Sequence, residues 1–171
     1  MATKLVKTGY GQVELNQVAF RRDGRIEAQC ALAEGLDYVE NGMLLAVNNM
    51  NRTVDFVKSG NIYPIALNYT SEHIYDERTP GLKNFRVEKD GMLPRLGYLA
   101  TGDKYTTNCV AYEGFDSEEA FLEAVGTTAL YAHAGADGYH LVNATATDAI
   151  ALAVAATTMP DGQKAVKFQA L

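Results

Sequence analysis

Residues 149–171 read AIALAVAATTMPDGQKAVKFQAL, and the fold class turns on how this closing stretch is understood. Alanine favours helix, yet Ile150, Leu152 and Val154 alternate with small residues as a strand does. Met159-Pro160-Asp161-Gly162-Gln163 decides between the two, because Pro-Asp-Gly supplies both the fixed φ and the positive φ of a tight turn. After it, Val166, Phe168 and Ala170 alternate with Lys167 and Gln169 up to Leu171. The chain therefore closes in two antiparallel strands, and Ile150, Leu152 and Val154 are expected to share a core face with Val166 and Phe168.

The same period of two recurs upstream. Val13, Leu15, Val18 and Phe20 precede Arg21-Arg22-Asp23-Gly24-Arg25, and Ile26, Ala28, Cys30 and Leu32 follow it, so a hairpin over about 13–32 is expected. Met43–Val47 and Thr53–Val57 flank Asn48-Asn49-Met50-Asn51 as a second hairpin. Ile62–Tyr69 reads as a strand whose Pro64 cannot donate to a ladder, which places it at a sheet edge or bulge. Residues 95–100 and 105–112 form a third expected hairpin across Thr101-Gly102-Asp103-Lys104. Between the last two, residues 70–94 are charged, turn-rich and aperiodic, a long loop with Ile74, Tyr75, Leu82 and Phe85 as apolar anchors. One short helix is expected near 117–125, with Asp116 as N-cap and Phe121, Leu122 and Val125 as its apolar stripe. The class is mainly β: antiparallel hairpins forming a sandwich or barrel-like domain over residues 1–171, with room for an N-terminal arm.

The chain has 171 residues with 47% hydrophobic and 21% charged residues, a composition suited to one self-sufficient core. Its two cysteines, Cys30 and Cys109, are expected as buried free thiols. The opening residues lack the apolar segment of a secretory leader, and Ala149–Ala156 is too short for a membrane helix, so no membrane association is expected. Charge is uneven. Residues 1–104 carry 13 of the 15 Lys/Arg together with 13 of the 21 Asp/Glu, whereas from Tyr105 to Gln163 every charged residue is acidic. Such a field repels phosphate backbones, which argues against nucleic acid as a partner. Arg21, Arg22 and Arg25 are the local exception, best read as a solvated turn. Glu113, Asp116, Glu118, Glu119 and Glu123 lack the pattern of a calcium loop, and helix capping accounts for half of them. His133, Asp137 and His140 have ligand-like spacing but fall among Gly135 and Gly138 in a turn, so no metal site is expected. With no nucleophile elbow, phosphate loop or Cys-x-x-Cys, neither a catalytic residue nor a cofactor is assigned.

Three segments resemble those of the head decoration (cement, or auxiliary capsid) proteins of tailed bacteriophages. They are Glu40-Asn41-Gly42-Met43-Leu44-Leu45-Ala46-Val47, Pro94-Arg95-Leu96-Gly97-Tyr98-Leu99-Ala100-Thr101-Gly102-Asp103, and Met159-Pro160-Asp161-Gly162-Gln163-Lys164-Ala165-Val166-Lys167-Phe168. The resemblance implies a non-enzymatic virion protein on the capsid surface, assembled in the host cytoplasm, with the major capsid protein and further copies of itself as partners. A trimer is expected, because capsid junctions carry local threefold symmetry. Tyr75, Leu82 and Phe85, with Arg21 and Arg22, are the expected partner-facing residues. A tail tube or head fibre protein would share the hairpins, and a small β-barrel enzyme of carbohydrate or nucleotide metabolism would instead show a cleft with carboxylates of shifted pKa.

Overall fold

The structure, a computed structural model, describes residues 1–70 and 84–171. Strand makes up 39% against 8% helix, the sheets are open, and the architecture is mainly β and sandwich-like rather than a barrel. In chain order the elements are β1 (Thr3–Lys4), β2 (Val13–Gln17), α1 (Phe20–Asp23), β3 (Ile26–Glu27), β4 (Ala31–Leu32), β5 (Tyr38–Val39), β6 (Leu44–Asn48), β7 (Thr53–Phe56), β8 (Ile65–Asn68), β9 (Val87–Glu88), β10 (Leu96–Gly97), β11 (Lys104–Thr107), β12 (Val110–Tyr112), α2 (Glu118–Ala124), β13 (Tyr131–Ala134), β14 (His140–Asn143), β15 (Ala151–Thr158) and β16 (Lys164–Ala170). One sheet runs β1-β12-β14-β13-β15-β16-β11-β2, a second runs β3-β10-β8-β6-β7-β4, and β5 with β9 forms a two-stranded ribbon.

The closing hairpin forms as its turn chemistry dictates. β15 and β16 pair antiparallel from Ala151↔Ala170 to Thr158↔Lys164, and Gly162 takes a φ of 86°. The inward face differs from expectation. Ala151 and Ala153 are buried with Val166, Phe168 and Ala170, while Ile150, Leu152 and Val154 are only half-buried. Ala153 lies opposite Phe168, so a small residue makes room for a large one, and a bulge between Ala153 and Ala155 re-aims the strand. Alternation identified the strand but not which phase faced the core.

Two of the three other hairpins do not form, for one shared reason: the chain changes sheet at their turns. After β2, which pairs with β11, α1 makes one helical turn closed by Gly24 at a φ of 70°, and β3 then pairs with β10 in the other sheet. Asp-Gly here ends a helical turn instead of making a two-residue hairpin turn. Phe20, fully buried, drives the diversion, with its ring 5.0 Å from that of Tyr69. Residues 95–112 behave likewise, since β10 pairs with β8 and β3 while β11 pairs with β16 and β2. The Asp103 carboxylate ties the two crossings together, accepting from Ala19 N at 2.8 Å and from Ala100 N at 2.9 Å. The strand expected over 105–112 is split at Asn108-Cys109, and β12 leaves β11 to pair with β1 and, in parallel, with β14.

The hairpin of β6 and β7 forms as expected, from Leu45↔Phe56 to Asn48↔Thr53. Pro64 does not mark an open edge, which corrects the expectation drawn from it. β8 begins one residue later and lies between β6 and β10, and the Pro64 carbonyl accepts from Val47 N at 2.9 Å. Immediately before a strand, a proline costs no ladder donor. Of the loop expected at 70–94, residues 71–83 lie outside the described residues, and the remainder includes β9, paired with β5 through Val39↔Val87.

α2 begins one residue later than expected because Ser117, not Asp116, is its N-cap, with Oγ accepting from Ala120 N at 3.1 Å. Ser117→Ala should therefore lower unfolding free energy by about 1 kcal/mol, read as a lower urea midpoint with an unchanged slope.

Two cores result. The first joins the larger sheet and α2 around Tyr105, Phe121, Leu130, Val142, Val166 and Phe168, with Leu44 and Leu67 contributed by the smaller sheet. The second joins the smaller sheet and the ribbon around Leu36, Val39, Leu45, Val47, Val54 and Leu96, with Cys109, Ala111 and Tyr139 from the larger one. In β12, Val110 and Tyr112 face the first core and Ala111 the second, so this strand is buried on both faces.

Candidate functional site

Where the two sheets meet, the chain buries an unusual run of polar residues: Gln12, Glu40, Asn41, Asn68, Thr70, Thr106, Thr107, Asn108 and His140. Buried polar groups require partners, and most of these find them across long sequence separations, while Asn41 Oδ1 and Asn108 Nδ2 have no hydrogen-bond partner among the described residues. Asn68 Nδ2 donates to the Glu40 carbonyl at 2.8 Å, Asn41 Nδ2 to the Thr70 carbonyl at 2.8 Å, and Thr107 Oγ1 to the Gln12 carbonyl at 2.7 Å. Gln12 N donates to Asn108 Oδ1 at 2.7 Å. Gly42 sits in this seam at a φ of 86°, and a Cβ there would fall 2.0 Å from Thr107 Oγ1, so only glycine fits. The seam gathers Glu40-Asn41-Gly42, the start of one of the three quoted segments.

Glu40 is its charged centre. Its Oε2 accepts from Gly11 N at 2.6 Å and forms an ion pair with Lys7 Nζ, the carboxylate being buried and the lysine half-buried. The Cys109 thiol lies beside the pair, donating to the Asn41 carbonyl at 3.3 Å. Burial pushes that thiol up to about 12, so it is neutral at physiological pH. Burial alone would lower the Lys7 pKa, but the Cys109 thiolate that forms only at high pH and the hydrogen bond to Glu40 outweigh it and hold the ammonium above its ordinary range. The result is a charged pair beside a protonated thiol. Cys30 is likewise buried and free.

His140 is fully buried, paired through Ala134↔His140 on one side and Val110↔His140 on the other. The Cys109 carbonyl can only accept, so Nδ1 carries the proton and donates to it at 3.2 Å, leaving Nε2 to accept from Tyr105 Oη at 2.9 Å. Burial depresses the imidazole to about 3.

At the surface above Glu40, Lys4, Gly35, Leu36, Asp37, Tyr38, Met43, Phe56, Asp137 and Tyr139 line a cleft of about 270 Å³ with it. Lys4 Nζ stands 4.0 Å above the Tyr139 ring centroid and 2.8 Å from Asp137 Oδ2. Beside the cleft, Arg86 lies over both Tyr38, at 4.0 Å, and Tyr10, at 4.7 Å. A larger cleft of about 430 Å³ shares the Phe56 wall and runs beneath residues 58–63, where Ile62 is 83% exposed.

The residues singled out from sequence are dispersed. Arg21 and Arg22 are exposed on α1, with Arg22 Nε 2.7 Å from Asp23 Oδ1. Phe85 is half-buried against the second core, and Tyr75 and Leu82 lie outside the described residues. His133, Asp137 and His140 do not converge: His133 Nε2 meets the Thr145 carbonyl at 3.0 Å, Asp137 pairs with Lys4, and His140 is interior. The reading of the sequence missed Lys7, Glu40 and Tyr139. The available signal was Glu40-Asn41-Gly42, two polar residues and a glycine leading straight into an apolar strand. Set against protein-family models, curated proteins and solved structures, the chain matches none of them.

Proposed function

We propose that the chain is a head decoration protein of a tailed bacteriophage, binding the outside of an assembled capsid and stabilising it without chemistry of its own. The observation that carries this reading is a contrast within one molecule. Buried hydrogen bonds and the Lys7–Glu40 ion pair fasten the frame, while Met50, Ile62, Met92 and Leu93, 81%, 83%, 42% and 47% exposed, stand out on its connections. Apolar side chains held out from such a frame suit docking onto a large protein surface. The three segments that resemble decoration proteins supply β6, β10 with the Asp103 crossing, and the closing hairpin; Met50 follows the first, and Met92 and Leu93 precede the second. Each copy would bridge neighbouring capsid subunits, and a trimer at the local threefold positions would multiply the contact. The acidic residues Asp116, Glu119 and Glu123 on and beside α2 are exposed and suit a solvent-facing side.

The test is co-sedimentation of the purified chain with empty shells of the major capsid protein of the same phage, beside its hydrodynamic size alone. Soluble chain that pellets only with shells supports the reading. Rings or tubes formed by the chain alone would assign it to a tail tube instead, and chain that stays in the supernatant with shells would overturn decoration.

A further inference from the structure

We propose that the cleft beneath Lys4 is a recognition site for a primary alkylammonium group, a lysine side chain of a partner or a free amine, which Lys4 occupies in its absence. The lining brings together Asp37, Glu40 and Asp137 with Tyr38, Phe56 and Tyr139 in about 270 Å³, enough for one extended alkylammonium chain. Carboxylates beside aromatic faces are the chemistry that selects an ammonium over a neutral or anionic group. The cleft already displays that selectivity toward its own chain. Lys4 Nζ is 4.0 Å from the Tyr139 centroid and 2.8 Å from Asp137 Oδ2, and Lys7 Nζ, paired with Glu40, is 4.9 Å from the same ring.

The two lysines are not equivalent. The Lys7 side chain, 13% exposed and paired with buried Glu40, belongs to the frame, whereas the Lys4 side chain is 51% exposed and rises from the two-residue edge strand β1. An exposed ion pair is worth little, so an arriving ammonium exchanges with Lys4 at small cost. Burial pushes the Tyr139 hydroxyl up to about 12, which keeps the ring a neutral π face throughout the physiological range. The site stands on the cleft alone and is independent of binding to a capsid.

The experiment is NMR titration of the full chain, following the Asp137, Gly138 and Tyr139 signals, with N-acetyl-lysine methylamide, putrescine and N-acetyl-norleucine methylamide. Wild type should bind the lysine amide at millimolar concentration, and Lys4→Ala at least threefold more tightly because the internal competitor is gone. Asp137→Asn in the Lys4→Ala background should lose most of that gain. Lys4→Gln, which keeps the methylenes, should behave as Lys4→Ala and guards against a folding defect in the latter. Binding of the lysine amide supports a protein side chain as ligand, and binding of putrescine alone supports a free amine. Absence of binding to both in the Lys4 variants, or equal binding of the norleucine amide, would overturn the site.

Discussion

Phe168→Ala should cost about 3 to 5 kcal/mol of folding stability, the usual range for removing an aromatic ring from a core. The site cannot collapse to fill the space. Phe168 is fully buried, with His140 4.7 Å away in a near-parallel stack and Tyr105 at 5.7 Å between ring centroids. Its cross-strand partner is Ala153, which has no side-chain atoms to move into the gap. The rings of His140 and Tyr105 are also fixed by their mutual hydrogen bond. Since domains of this size are stable by only ~5–15 kcal/mol, the variant should express poorly or melt far below the wild type. Phe168→Leu, retaining most of the volume, should recover more than half of the loss in urea denaturation. If limited proteolysis removed the last eight residues without unfolding the remainder, β16 would be peripheral and this account would be wrong.

The difference between the expected and observed folds follows from what local patterns encode. Alternation and turn residues specify that strands form, and β6, β7, β15 and β16 form within a residue or two of the expected positions. Which sheet a strand joins is decided by distant partners. Arg21-Arg22-Asp23-Gly24 has the composition of a hairpin tip, but the burial of Phe20 and the capping of Ala19 N by Asp103, 84 residues away, turn it into a crossing between sheets. Alternation also cannot tell Leu152 from Ala153 as the inward residue. Hydrophobicity favours leucine, yet the ring of Phe168 across the ladder leaves space for alanine. The polar seam was illegible for the same reason. Lys7 and Glu40 are 33 residues apart, Gln12 and Asn108 are 96 apart, and nothing in either neighbourhood announces the other. Gly42 alone left a trace, because a glycine directly before an apolar strand marks a backbone or contact requirement even when its partner is unknown.

Acid should weaken the fold through His140, and the sign follows from its surroundings. The folded imidazole is held near 3 by burial, well below the ordinary value of 6.5, so the unfolded chain binds a proton that the folded chain refuses. Its contribution is therefore complete above pH ~6.5 and falls as pH drops from there toward about 3, with a limiting slope of ~1.4 kcal/mol per pH unit. Protonation would also turn Nε2 from acceptor to donor and oblige Tyr105 Oη to reverse its role against Phe168 and the rest of the first core. Among the described residues Tyr105 Oη has no second hydrogen-bond partner to compensate, and burial holds its hydroxyl protonated above the ordinary range. Urea midpoints at pH 7, 6, 5 and 4 should fall for the wild type. For His140→Gln they should begin lower at pH 7, because a tuned partner of Tyr105 is lost, and decline less steeply. Every other ionisable group is common to the two proteins, so its effect cancels in the difference. The gap between the two proteins should narrow steadily below pH 6. A constant gap across this range would mean that His140 is protonated at no extra cost in the fold, and that the seam admits charge more readily than its burial requires.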